Sequence, residues 1–312
     1  MASNTSAVVQ PTLSLSSDQD AIVRRCADVV HNARRDGTAP RVHLFGDYVV
    51  KFNEKGIRNE ADTQTFVYEA LKSQPNAPRV PEVYDCFSWG GMQYLVMEQI
   101  ECPTVEEWIK DAAGEAEALS RFEIACKAVA NALRWLFALS PPAGADIGLI
   151  DGAYAQTQAP NVRENTGCAR NTFFGRYPAP LRYSSPLALE RHINAALGKR
   201  PRSADPLAVK LSSEPLSIVA GDIRQRNFLI DPKTLRVTII DFGDICVLPL
   251  SFVSFTLHAT QNTFITRIAE NLAWAKSENL RAMGEATGIY WLKSCQGRSF
   301  GLDKDGLPLT KA

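Results

Sequence analysis

Three residues in the second half of the chain have the types and the spacing that could hold a phosphate and a divalent cation. They are Asp222 and Asn227 in "IVAGDIRQRNFLID" (218–231) and Asp241 in "DFGD" (241–244). A hard cation bridging phosphate oxygens takes oxygen ligands, which Asn and Asp supply. A second carboxylate, kept off the metal, orients an attacking hydroxyl and accepts its proton. Each residue alone is an ordinary turn or strand-end residue. The order Asp-x4-Asn, short hairpin, Asp-Phe-Gly is much harder to reach by chance, and the chemistry it suggests is phosphoryl transfer, with Asp222 as base and Asn227 and Asp241 on magnesium.

The surrounding elements explain how such residues would meet. "FLID" and "VTIID" read as short strands of a hairpin turning around 232–236. Asn227 then enters the hairpin and Asp241 leaves it at the same end of one ribbon, with Asp222 on the adjacent loop. Gly243 leaves room for backbone close to Asp241. Further upstream the pattern is helix (18–35), hairpin (41–45 and 48–52 across Gly46-Asp47), helix (57–73), a Pro-bounded connection, and a strand (93–100). That order describes a small lobe over 18–101. Residues 102–312 read as a larger lobe with helices over 105–112, 116–139, 186–197 and 251–293, and it carries the loop 220–227 and the 241–243 triplet. Between them, 140–185 is rich in Pro, Gly and Asn without periodicity, the signature of a functional lid or an irregular insertion. Residues 1–17 are Ser-, Thr- and Ala-rich and read as disordered, and a polar tail follows Gln296. The expected fold class is α+β, in two lobes.

Composition narrows the function classes. With 312 residues and 45% hydrophobic content the chain can bury a substantial core. The 34 basic residues equal the 34 acidic ones, which argues against a whole-chain field for nucleic acid. The apolar run 247–257 is too short for a bilayer and is interrupted by Pro249. No secretory pattern opens the chain, and seven scattered cysteines suit reduced thiols, so a cytoplasmic location is expected. Four scattered histidines give no zinc spacing.

On these residues the chain resembles the aminoglycoside phosphotransferase (APH) and choline-kinase-like branch of the protein-kinase-like superfamily, and within it the fungal proteins with an APH-type domain. "GDIRQRN" resembles that family's loop of His-Gly-Asp type followed by Asn, and "RVHLFGDYVVKF", "NEADTQTFVYEAL", "RVPEVYDCF" and "QYLVMEQI" resemble its small lobe in order and spacing. The resemblance implies a two-lobed kinase-like fold, a β-rich N-lobe with a mainly helical C-lobe, and use of ATP with Mg2+. It implies that Lys51 contacts the α- and β-phosphates with a Glu partner on the following helix. Two candidates exist, Glu60 and Glu69. At about 100° per residue, Glu60 falls on the face shared by Ile57, Ala61, Val67, Tyr68 and Leu71, and Glu69 falls opposite. A Glu inside an apolar stripe needs a buried partner, so Glu60 is the choice. The resemblance also puts Met97 behind an adenine pocket whose base edge pairs with the backbone of Glu98 to Ile100.

Three departures from the pattern stand out. Ala220 replaces the loop His, which in the family ties the loop to the core, so its loss should loosen the site without removing chemistry. No Gly-rich phosphate loop precedes Lys51. No Ala-Pro-Glu follows Asp241, which favours a small hydroxylated acceptor over a protein. The acidic residues near the expected acceptor region, Asp244, Glu270, Glu278 and Glu285, read first as solvated helix surface. The alternative to an ATP-dependent kinase is a non-catalytic pseudokinase binding nucleotide or a partner through the same cleft.

Overall fold

The structure is a computed structural model that describes residues 17–33, 41–156, 167–175, 177–200, 205–292 and 299–309. The expected disordered segment 1–17 lies outside the described residues except for Ser17, which opens helix α1 (Ser17–Ala33). Strands β1 (Val42–Phe45) and β2 (Tyr48–Asn53) form the expected hairpin, closing on the pair Phe45 and Tyr48. Helix α2 (Ile57–Leu71) follows, then strands β3 (Val83–Trp89) and β4 (Met92–Glu98). The four strands make one antiparallel sheet in the order β1-β2-β4-β3.

Strand β3 corrects the expectation of a Pro-bounded connection. Pro81 lies outside the strand, and the decisive signal is Gly90-Gly91. Both glycines sit at positive φ, 56° and 81°, in a two-residue turn that pairs Trp89 with Met92. Side chains alternate across the sheet, so Val50, Phe52, Tyr94 and Val96 bury one face against Ile22 and Cys26 of α1. Leu95 and Cys86 face the other way, onto Ile57 and Ala61 of α2.

The C-terminal part is mainly helical. Helix α3 (Val105–Lys110) starts at a capping box in which Thr104 and Glu107 satisfy each other's backbone. Helix α4 (Glu115–Phe137) buries its Ala125, Cys126, Val129, Ala130, Leu133 and Leu136 stripe in the main core. A four-residue helix α5 (Ala153–Gln156) and a 3-10 turn (Thr172–Phe174) are the only helical pieces in the described parts of 140–185. That stretch is nonetheless packed, with Ile147, Leu149, Phe173, Phe174 and Tyr183 buried. It is an irregular insertion threaded into the core.

Helix α6 (Pro186–Leu197) precedes four short strands, β5 (Leu216–Ala220), β6 (Phe228–Ile230), β7 (Val237–Ile239) and β8 (Ile245–Pro249). β6 and β7 are the expected hairpin, whereas the β5–β8 antiparallel pair was not foreseen. Helices α7 (Ser251–His258), α8 (Thr263–Leu272) and α9 (Leu280–Leu292) complete the lobe. Among the described residues no helix is long and apolar enough to cross a membrane, and the cysteines are free thiols.

Two contacts fix the sheet-bearing part on the helical part. Arg79, just before β3, donates its N–H to Val237 O at 2.9 Å, and its carbonyl accepts from Ile239 N–H at 2.9 Å. The hairpin that carries the candidate site is thereby anchored to the N-terminal part. On α2, Asn59 Nδ2 donates to Asp151 Oδ1 at 2.7 Å, and the Asp62 carboxylate accepts the N–H groups of Tyr154 at 3.0 Å and Ala155 at 2.7 Å. Burial raises the Asp62 pKa, and these backbone donors pull against that rise.

Candidate active site

Alternation along β2 decides where Lys51 points. It pairs with Leu95 of β4 and so shares the face turned toward α2. Its Nζ lies 2.7 Å from Glu60 Oε1 and 2.7 Å from Asp241 Oδ1. Glu69, the other candidate on α2, sits at the surface 2.5 Å from Lys72. Burial opposes the charge on Lys51, yet the Glu60 and Asp241 carboxylates outweigh it and hold the ammonium above its ordinary range. For Glu60, burial pushes the carboxyl up against the pull of Lys51.

Asp241 follows β7 at φ 64° and ψ 73°, a left-handed conformation that costs an L-residue of order 1 kcal/mol but that Asp adopts more readily than most. Gly243 stands where a Cβ would come within 3.2 Å of Glu60 Oε2, so its missing side chain leaves room for the buried Glu60 carboxylate.

Asn227 ends a short 3-10 turn before β6, at the end of the hairpin from which Asp241 departs. Ile240 N–H donates to Asn227 O at 3.0 Å and ties the two ends together. The Asn227 carboxamide donates through Nδ2 to the Asp222 carbonyl at 2.9 Å and to Asp222 Oδ2 at 3.2 Å. Its Oδ1 receives no hydrogen bond among the described residues, which leaves an oxygen for a hard cation beside Asp241. Among the described residues no group of three or more His, Cys, Asp or Glu is placed to hold a metal.

Asp222 itself pairs with Arg224, Nε to Oδ1 at 2.5 Å. Gly221 before it admits no side chain, because a Cβ there would fall 2.5 Å from Arg170 O and 2.8 Å from Asp244 O. Ala220 is buried, paired with Ile245 at the end of β5. Only about 10 Å3 remains open beside it, lined in part by Leu133 and Leu136, which is space for one water at most. Asp222, Asn227, Asp241 and Asp244 line the same small space.

Met97 lies on β4 between Val49 and Val83, with Gln64 Nε2 at 3.5 Å from its sulfur. The strand ends at Glu98, two residues earlier than the sequence suggested. Glu98 N–H is already donated to Glu82 O at 2.9 Å, and its side chain pairs with Arg79. Beyond it, Ile100 O accepts from Cys102 N–H at 2.9 Å, while no hydrogen bond from Ile100 N–H occurs among the described residues. The N–H left open on this segment therefore belongs to Ile100.

The family model described as "APH: Phosphotransferase enzyme family" matches residues 32–252. The chain belongs to this phosphotransferase family. No curated protein sequence matches it. Solved structures that align with it include the GDP and kanamycin complex of APH(2")-IIia, at 10% identity and a TM-score of 0.42, over 85% of this chain and 87% of that one. Spectinomycin phosphotransferase with ADP and spectinomycin aligns at 10% identity and a TM-score of 0.42, over 81% and 78%. The macrolide 2'-phosphotransferase MphH from Brachybacterium faecium aligns at 11% identity and a TM-score of 0.38, over 83% and 87%.

In this family member a cavity of about 460 Å3 opens beside Asp222, lined by Gly221, Asp222 and Arg224 of the loop, by Asp244, and by residues 170–172, 175, 177 and 178 of the insertion. Arg170, Asp222, Arg224 and Asp244 bring charge to it. Asp244 corrects the expectation of solvated helix surface: burial raises its pKa, with Arg170 pulling the other way. Glu270, Glu278 and Glu285 are exposed, as expected. Arg170 was not singled out from the sequence, and nothing in its aperiodic surroundings marks it.

Proposed function

We propose that this family member is a cytoplasmic small-molecule kinase that transfers the γ-phosphoryl group of ATP, with Mg2+, to a hydroxyl of a small metabolite. The observation that carries this reading is the convergence of Lys51, Glu60, Asp241, Asn227 and Asp222, drawn from β2, α2 and both ends of one hairpin. In this reading Lys51, fixed by Glu60, binds the α- and β-phosphates, and Ile100 N–H with the adjoining carbonyls meets the base edge beside Met97 and Glu98. Asn227 Oδ1 and Asp241 hold Mg2+, which when bound neutralises phosphate oxygens.

Asp222 accepts a hydrogen bond from the acceptor hydroxyl and orients its oxygen in line with the γ-phosphorus. As the new O–P bond forms, the bond to the bridging oxygen breaks and its electron pair leaves with ADP. The hydroxyl proton passes to Asp222 and then to solvent.

Thermal unfolding tests the donor half. Mg-ATP at millimolar concentration should raise Tm, ATP with a chelator should raise it less, and Asp241→Asn should remove the magnesium-dependent part. No shift at all, or an Asp241→Asn protein that keeps the full magnesium effect, would contradict the reading. The Arg224–Asp222 ion pair, which occupies the base, favours a rival: a nucleotide-binding protein without turnover. Transfer of label from ATP to a small-molecule ester separates the two.

A further inference from the structure

We infer that the acceptor carries an acidic group, carboxylate or phosphate, that docks on Arg170 and Arg224 while its hydroxyl meets Asp222; this rests on the phosphotransferase reading above. Arg170 is held in place through its backbone, whose N–H donates to Cys246 Sγ at 3.0 Å and whose carbonyl accepts from that thiol at 3.2 Å. Its guanidinium lies against the start of α2, 2.9 Å from where a Gly56 Cβ would stand. Glu60 and Asp244 attract it through space, yet no hydrogen bond or ion pair to it forms among the described residues. Among those residues its guanidinium N–H groups are therefore not taken up by a direct hydrogen bond, and an anion entering the cavity would supply one.

The charges lining the cavity leave no surplus for a cationic acceptor. The two carboxylates, Asp222 and Asp244, face two guanidiniums, and Arg224 already engages Asp222. Arg224 is 55% exposed, and no partner takes its Nη groups among the described residues, so they are free for a ligand. Two guanidinium forks suit the planar or tetrahedral oxygens of a carboxylate or phosphate better than an ammonium group does. Tyr177 lines the cavity, and Trp291 packs beside it on Gly175. Tyr177 is 45% exposed and Trp291 67% exposed. The Trp291 ring packs on Gly175, its nearest atoms 3.1 Å from where a Cβ would be, and its Nε1 donates to Thr172 O at 3.4 Å. These rings suit a planar or apolar body between the hydroxyl and the acid.

A matched set tests the inference: the 4-(hydroxymethyl) derivatives of benzoate, phenyl phosphate, benzamide and benzylamine, each titrated calorimetrically into the full chain saturated with Mg-AMPPNP. The two acids should bind about tenfold or more tighter than the amide, with the amine weakest; whichever acid is favoured identifies the group. Arg170→Met should collapse the acid-over-amide ratio, and Arg170→Lys should restore part of it. An amine that binds as well as the acids, an unchanged ratio in Arg170→Met, or no acid binding at millimolar concentration would each overturn the inference alone. Failure of Mg-AMPPNP itself to bind would appear before any acceptor is added and would overturn the underlying reading together with it.

Discussion

Asp222→Asn is expected to lower the rate of phosphoryl transfer by about 10²–10⁴-fold, the range by which a positioned base accelerates proton transfer. The substitution keeps the shape of the side chain. It also keeps the hydrogen bond from Asn227 Nδ2 to the Asp222 carbonyl, which belongs to the backbone. What it removes is the proton acceptor and the ion pair with Arg224. Mg-ATP should therefore still raise Tm in the variant, because Lys51, Asn227 and Asp241 are untouched. A variant that retains transfer within a factor of a few would show that Asp222 is not the base.

Lys51→Met should give the largest stability effect. It leaves Glu60, with a side chain only 4% exposed, and Asp241 facing each other without the shared cation. Breaking a buried pair by removing one partner typically costs about 3–5 kcal/mol, far more than the pair contributes net, because an uncompensated charge stays behind. Lys51→Met with Glu60→Gln removes that charge and should recover most of the stability while nucleotide affinity stays low.

The pH dependence has a definite sign. Burial already raises the Glu60 pKa, and losing Lys51 removes what opposed the rise. The Glu60 carboxyl of the single variant therefore takes up a proton at higher pH, and its deficit should shrink as pH falls. Urea unfolding at two pH values measures both effects. A single variant no less stable than the double one would show that the buried pair is not organised as described.

The grouping of Lys51, Glu60, Asp241, Asn227 and Asp222 was legible because most of its signals are local. Asp222 and Asn227 are five residues apart on one turn, Asp241 leaves the same hairpin, and Glu60 declares itself by sitting inside an apolar helical stripe. The cavity beside Asp222 was not legible, for a physical reason. Arg170 comes to line the same cavity as Asp222 because the insertion threads beside β8, through Gly148 bridging to Val247 and Cys246 bonding to Arg170. Those contacts join residues far apart in sequence within stretches that have no period.

The same limit hid β5 and β8, whose short apolar runs look like any buried segment until they pair. β3 could have been found, since a Gly-Gly pair between two β-rich runs is a hairpin signal. Asp244 was read together with Glu270, Glu278 and Glu285 as solvated helix surface, while the chain turns there into β8.

The central claim is that this site moves a phosphoryl group onto a hydroxyl, and transfer of label tests it most directly. The full chain is incubated with γ-labelled ATP, magnesium and a pool of hydroxylated acids, and the label is followed into small-molecule phosphate esters. The wild-type protein should produce a labelled ester that Asp222→Asn does not. Bound ATP whose label stays on the nucleotide, or is released only as inorganic phosphate at equal rates in both proteins, would contradict the account.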